Sequence, residues 1–218
     1  MEIPKTWTFK SDHIAENFNQ HVLEQLPWYN LATDAVVHVV RHYLPQHGLA
    51  YDVGASTGNI GRAINPVLIE REAHLIAVEE SEEMANRYQG PGTVIRKAAQ
   101  DVCFQPFDVA ILFLVMMFMS VAERRTLLVS LRRQMKTGGV IIIFDKVVAP
   151  SGYFGTVLRR LTMDWKLKQG TSASDIVAKE LSLSGVQRPI MPVILGLDAI
   201  CFFTFGEFAG WIIESPEK

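Results

Sequence analysis

Apolar residues near the start of the chain recur at fourth positions. Ile14, Phe18, Val22 and Leu26 follow Ser11, a residue suited to cap a helix, and Pro27 stops the run. A second helix is expected from about Asn30 to Leu44, closed by Pro45 and Gly48. The period then changes. Leu49–Val53 reads as a short buried strand and Asn59–Ile69 as a helix, with Pro66 a point where it can end early. His74–Glu79 reads as a second strand. Ser81–Tyr88 reads as a helix whose acidic first turn, Glu82 and Glu83, suits its dipole. Strands are expected at Thr93–Arg96 and Phe107–Leu114. A helix over Ala122–Met135 buries Leu127, Leu128, Leu131 and Met135, and Gly138-Gly139 leads into a fifth strand, Val140–Phe144. Tyr153–Lys168 reads as a helix. Ala199–Phe205 and Phe208–Ile213 form an antiparallel hairpin about Gly206-Glu207. Continuously apolar strands alternating with helices indicate an α/β fold: a doubly wound, mostly parallel seven-stranded sheet ending in an antiparallel hairpin. One domain over residues 1–218 is expected, with 1–47 a helical N-terminal extension.

Two apolar stretches have to be weighed as membrane spans. Val109–Met119 has 11 residues, about half of the roughly 20 that a spanning helix requires. Pro192–Ile213 is long enough, but Asp198 and Glu207 interrupt it, so a buried strand pair is the reading and its Gly206–Gly210 spacing is incidental. No membrane partner is expected. The opening MEIPKTWTFKSDH lacks the apolar core of a signal peptide, and Cys103 and Cys201 are too few and too far apart for a disulfide scaffold or a zinc site. Both features suit a reducing cytoplasm. Twenty-one basic and 23 acidic side chains, a net charge of −2, argue against strong nucleic-acid binding through phosphate neutralisation.

The chemistry concentrates after the first strand, in Tyr51-Asp52-Val53-Gly54-Ala55-Ser56-Thr57-Gly58-Asn59. Gly54 and Gly58 allow a sharp turn and close approach of a ligand to the main chain. The dinucleotide fingerprint G-x-G-x-x-G is absent. The G-x-S-x-G spacing also describes a hydrolase nucleophile elbow, but no histidine lies beyond His74 to complete a triad. Glu79 ends the second strand 25 residues after Gly54, where an acid accepts hydrogen bonds from ribose hydroxyls. Glu80 is read either beside it in that role or as a solvated helix-start acid. His38 and His42 are spaced like zinc ligands, but the glutamate of the zincin motif is missing, so they read as surface or core residues and no metal is expected. Arg124-Arg125 and Arg132-Arg133 read as a solvated helix face. Arg159-Arg160, Lys166 and Lys168 beside Trp165 are a candidate for substrate recognition, and Asp145-Lys146 either meets an anionic substrate or forms a structural ion pair.

D-V-G-x-x-x-G followed by an acid at the end of the next strand resembles the class I S-adenosylmethionine (SAM) methyltransferases, and Gly138-Gly139 and the terminal hairpin suit that family. Within it the chain resembles more closely the carboxy-SAM synthases, which convert SAM and prephenate into carboxy-SAM for tRNA wobble-uridine modification. The resemblance covers about Phe9 to Lys179 and resumes at Thr204-Phe205-Gly206. It is carried by Pro27-Trp28-Tyr29, Tyr51–Gly54, Ile76–Glu79, Ser81 and Met84, Glu123-Arg124, Gly138–Lys146, and Asp164-Trp165-Lys166 with Gly170, Ser172, Ile176 and Lys179. It implies a Rossmann-like SAM methyltransferase fold, SAM or carboxy-SAM as cofactor, and a homodimer. It also implies cofactor-binding roles for Tyr29, Asp52, Gly54, Ala55, Ser56, Gly58, Glu79, Glu80, Ala98, Ala99 and Phe113.

The chain departs from that subfamily at three places. Ala98-Ala99 stands where it has an Asp-Ile pair, leaving Gln100 or Asp101 to receive the exocyclic amine of adenine. Phe113 stands where it has asparagine. The arginine that pairs with the extra carboxylate of carboxy-SAM has only Arg188 as a nearby candidate. A desolvated carboxylate requires such a cation or several N–H donors. The expected function is therefore SAM-dependent methyl transfer to a small or planar acceptor, with Phe113, Met117 and Phe118 as an apolar wall. Carboxy-SAM synthesis is the alternative, and a non-catalytic SAM-binding module is the second. No catalytic residue is assigned. Met116, Met117 and Met119 otherwise read as core packing.

Overall fold

A computed structural model describes residues 3–216. Its elements in chain order are α1 (Asp12–Gln25), α2 (Tyr29–Tyr43), β1 (Leu49–Val53), α3 (Asn59–Glu70), β2 (His74–Val78), α4 (Glu82–Ala85) and β3 (Thr93–Ile95). Then follow β4 (Phe107–Phe113), α5 (Val121–Gln134), β5 (Met135–Lys146), α6 (Tyr153–Lys168), α7 (Ala173–Ser182), β6 (Ile200–Phe205) and β7 (Phe208–Glu214). The seven strands form one sheet in the order β3-β2-β1-β4-β5-β7-β6. The first five are parallel, and β7 pairs antiparallel with both β5 and β6. The strand order reverses between β1 and β4, where a crevice opens at the carboxyl ends of the strands.

Side-chain alternation on the central strands builds two cores. Ala50, Val109, Ile111, Val140, Ile142 and Phe144 face α2 and α3, and lie among Val36, Val40, Ile60 and Ile64. Their neighbours Tyr51, Val53, Ala110, Leu112, Ile141 and Ile143 face α5 and pack with Leu127, Leu128 and Leu131. This period-2 partition between two covered faces explains why every position of β4 is buried.

Several elements differ from expectation for identifiable reasons. Pro66 lies inside α3, which continues to Glu70 because Ile64, Val67 and Leu68 are held in the core. That packing outweighs a proline cost of about 3 kcal/mol. In contrast, α4 is one short turn. The chain leaves it so that Tyr88 packs against Gly58 and Gly90 and donates its hydroxyl to the Pro91 carbonyl at 2.9 Å. The hairpin is only half buried: β7 is covered, whereas β6 is an edge strand with Ile200 and Phe202 exposed. β5 runs past Val140–Phe144 at both ends, and α7 was not expected; Ser172 caps it by accepting the Asp175 N–H at 3.1 Å.

Arg124 is the clearest correction on a helix. It precedes Leu128 by four residues and Leu131 by seven, so it shares their buried face. Its guanidinium donates to the carbonyls of Met119, at 3.1 Å, and Arg188, tying α5 to the segment before β6. Arg132 pairs with Asp198 and with the Leu195 carbonyl, while Arg125 and Arg133 stay in solvent. His38 and His42 are both exposed, with their rings edge to face. Among the described residues no helix is long and apolar enough to cross a membrane.

Ile142 sits at full burial in the middle of β5. Ile142→Ala is expected to cost about 2–5 kcal/mol in a urea-denaturation series, since two packed neighbouring strands prevent the gap from closing.

Candidate functional site

A cavity of about 1100 Å³ opens at the carboxyl ends of β1, β2, β4 and β5. Its floor is the loop after β1. Gly54 has φ +74°, and its N–H and that of Ala55 both donate to the Val78 carbonyl, at 2.8 and 2.9 Å, which folds the loop across the end of β2. A Cβ on Gly54 would lie 2.5 Å from a methyl of Val115, so the loop passes against the turn after β4 with no room for a side chain. Ser56 is also left-handed, at φ +50°, as is Leu114 at φ +63°. Both line the cavity, and non-glycine residues in this region carry strain characteristic of functional sites.

Glu79 holds this geometry. It is 9 % exposed, and each carboxylate oxygen takes one main-chain donor: Oε2 the N–H of Ser56 at 2.7 Å, Oε1 the N–H of Ser81 at 2.8 Å. Burial pushes its carboxyl above the usual range and the Ser81 and Ser56 N–H groups oppose the shift. Each oxygen retains a free lone-pair direction for a hydroxyl in the cavity. Glu80, beside it, is exposed and pairs with Lys10 at 3.0 Å across the cavity rim.

Asp52 lies beneath the loop, fully buried. The residue is among those lining the cavity, and its buried Oδ2 has no hydrogen-bond partner. Burial pushes its carboxyl up to about 7; the Gly61 N–H opposes this and the charge of Glu79 adds to it. Such an orphaned acceptor is the position at which a cationic or N–H-bearing ligand restores what folding removed. Tyr29 packs edge-on against Phe113, with ring centroids 5.3 Å apart, and both reach the cavity wall.

Of the residues named from the sequence, Tyr29, Asp52, Gly54, Ala55, Ser56, Glu79, Glu80, Ala99 and Phe113 line this one cavity. Gly58 and Ala98 do not. Gly58 precedes α3 at φ +88° and faces Tyr88 instead, and Ala98 precedes the turn at 99–101. Gln100 lines the cavity whereas Asp101 is exposed outside it. Met117 and Phe118 extend the apolar wall. Met116 is fully buried and belongs to the core. Asp145 does not pair with Lys146; its oxygens accept the Met117 N–H, each at 3.2 Å, and the Lys146 N–H at 2.8 Å, which sets the turn at 116–118 against the cavity. Arg188 is exposed and does not line the cavity.

Sequence reasoning missed the roof. Trp7, Thr8, Phe9 and Lys10 run along the cavity, tied by the Trp7 N–H to the Ser182 carbonyl at 2.8 Å and by the Ser81 hydroxyl to the Phe9 carbonyl at 2.7 Å. Phe9 meets Phe118 edge to face at 4.8 Å. The only signal was Trp7 and Phe9 standing in an otherwise polar leader.

Residues 51–143 match the family described as methyltransferase domain. That match spans less than half of the chain. The sheet order and terminal hairpin are those of the class I SAM-dependent methyltransferase fold, and with the matched stretch they support an enzyme of the transferase type. Carboxy-S-adenosyl-L-methionine synthases are similar to the chain over most of its length. The one from Staphylococcus epidermidis is 25 % identical over 192 residues, covering 86 % of this chain and 84 % of the relative. The one from Aliivibrio salmonicida is 25 % identical over 187 residues, covering 82 % and 77 %. Among solved structures, human N-acetylserotonin methyltransferase in complex with SAM superimposes with a TM-score of 0.60 at 14 % identity; the match covers 95 % of this chain and 57 % of the human one. A TehB-like SAM-dependent methyltransferase from Corynebacterium glutamicum gives 0.53 at 15 % identity, covering 94 % and 100 %.

Gly54→Ala is expected to lower stability by about 1–2 kcal/mol through its left-handed backbone alone. The added methyl also displaces Val115. Thermal unfolding of Gly54→Ala and of Gly54→Ala with Val115→Ala separates the two effects: the second substitution relieves the collision and leaves the backbone cost.

Proposed function

We propose that the protein is a SAM-dependent methyltransferase acting on a small-molecule acceptor. The observation that carries this reading is Glu79, a buried carboxylate already held by two main-chain donors and facing the cavity beside the glycine loop. The residues present suit a nucleoside sulfonium. Glu79 would take the ribose hydroxyls, the backbone at Gly54 to Ser56 admits close approach, and Ala99 and Gln100, both in the cavity lining, would receive the adenine edge. The unpaired Asp52 Oδ2 suits the cationic amino-acid end. When bound, SAM supplies an electrophilic methyl on a positively charged sulfur. The chain's own part is to hold the acceptor against Phe113, Met117 and Phe118 with its lone pair in line, and to exclude water beneath the roof of Trp7 to Lys10. Orientation of this kind supplies a large share of the acceleration.

Carboxy-SAM synthesis is the second reading, favoured by the relatives of that name. Arg188 counts against it, since it lies outside the cavity and offers no counter-ion to a second carboxylate there. Incubation with SAM and prephenate, read by mass spectrometry, separates the two. A carboxylated SAM product would replace the methyltransferase reading, and unmodified SAM excludes the synthase. Cofactor binding with no turnover across acceptor panels would favour the non-catalytic module. A cytoplasmic setting is proposed on the two free thiols, both exposed, and a homodimer on the subfamily resemblance.

Two outcomes test the SAM reading. Isothermal titration should show SAM binding to the wild type and a loss of about tenfold or more in Glu79→Ala, the equivalent of one or two charge-assisted hydrogen bonds. Equal affinity in the two proteins would refute it. The second outcome is a pH dependence. With its carboxyl near 7 in the free protein, Asp52 is ionised above that pH and protonated below it, and a cation is favoured only by the ionised form. SAM affinity should therefore fall on the order of tenfold from pH 7.5 to pH 5.5, and Asp52→Asn should flatten the profile.

A further inference from the structure

The cavity has a second polar region, remote in sequence from the glycine loop. It is built by α1, α6, α7 and the end of β5, and it is rich in cations. Lys166 of α6 is 7 % exposed and Lys179 of α7 is 9 % exposed, and both line the cavity. The Lys179 ammonium lies over the ring of Trp7. Among the described residues no carboxylate stands within 4 Å of it. Lys166 reaches Glu180 at 3.7 Å. Lys146, at the end of β5, holds Gln187 Oε1 at 3.1 Å and Glu207 at 3.9 Å. Arg159 adds a further cation to the lining. Four basic side chains thus share this region with two carboxylates.

That surplus is costly. Burial, and after it the charge of Lys166, push Lys179 down to about 6, and burial lowers Lys166 as well. His21 stacks on Trp7 beside them and is held down to about 3, by burial first and by the charge of Lys179 next, so it contributes no charge. A buried ammonium is tolerated only when paired or hydrogen-bonded. Space alone would be filled at less cost by a methionine or leucine of similar volume. Lys179 satisfies neither condition from within the chain; a ligand anion would satisfy both.

We propose that this region is an anion subsite for the acceptor, in which Lys166 and Lys179 grip its carboxylate or phosphate group while Phe113, Met117 and Phe118 receive its apolar body. The inference rests on the transferase reading and deepens it: the acceptor class becomes a small aromatic or aliphatic acid or phosphate ester. Lys146 and Arg159 stand near enough along the lining to favour the same charge but already have partners or exposure of their own.

The test is isothermal titration of the full chain loaded with SAM, using benzoate, phenyl phosphate and the neutral isostere benzamide as probes. Binding of benzoate or phenyl phosphate and not of benzamide is expected; which anion binds tells carboxylate from phosphate. Lys166→Met and Lys179→Met should each weaken the preferred anion about tenfold or more, while SAM affinity stays at the wild-type value. The proposal is overturned if benzamide binds as well as the anions, if neither anion binds to SAM-loaded protein, or if both variants keep full anion affinity. Should Lys179→Met fail to bind SAM, Lys179→Gln and Lys166→Met carry the same comparison. Failure of the wild type to bind SAM would instead remove the underlying reading, so the two failures are distinct.

Discussion

The Glu79 carboxylate ties together three pieces of chain: the end of β2, the loop after β1 and the start of α4. One oxygen takes the Ser56 N–H and the other the Ser81 N–H. Ser56 can sit in the left-handed region because that bond holds it there, and charge-assisted bonds of this kind contribute about 1.5–3 kcal/mol each against a backbone cost of about 1–2 kcal/mol. The loop so fixed lies against Val115, in the turn after β4. The depth and shape of the cavity follow from these few contacts. The parallel sheet supplies the frame, and the order reversal between β1 and β4 keeps the space above the loop free of a crossing helix.

The sheet was legible because its strands are buried on both faces and leave unmistakable apolar runs, as in Phe107–Phe113 and Val140–Phe144. The cofactor half of the cavity was legible for a different reason. Gly54 and Glu79 occupy positions defined by chain order alone, one just after a strand and the other just after the next, so no long-range contact has to be guessed. Failures came where tertiary packing decides. Pro66 left the end of its helix open, and the core carries that helix on to Glu70. Arg124 reads as solvated when it is placed with Arg125 on the face opposite the leucines; four residues before Leu128, it lies on the buried side. Ala98 was placed by resemblance, and the backbone turn at 99–101 carries it out of the cavity.

The half of the cavity built by α6 and α7 was less legible. Lys166 and Lys179 are ordinary surface residue types, and nothing in spacing says that α6 and α7 lean over the crevice. Of the 16 residues of α6 only Gly155 and Lys166 are buried, so the helix touches the body of the protein at few points and its charge at Lys166 is one of them. Basic residues beside Trp165 were a candidate for substrate recognition. The structure divides that cluster, burying Lys166, leaving Arg159 exposed at the cavity lining and pairing Lys168 with Asp164 at the surface.

The bond from Trp7 to Ser182 closes a ring through nearly the whole polypeptide. On a ribosome the amino-terminal segment emerges first, but the carbonyl it must find is synthesised among the last fifth of the chain. The sheet nucleus can assemble from local strand–helix units in the meantime, whereas this closure has to await a contact of very large sequence separation, the slowest kind to form. The Trp7 end of the enclosure can therefore close only once α7 exists, and a nascent chain arrested before α7 would display Trp7 without the Ser182 carbonyl and the Lys179 ammonium that it meets.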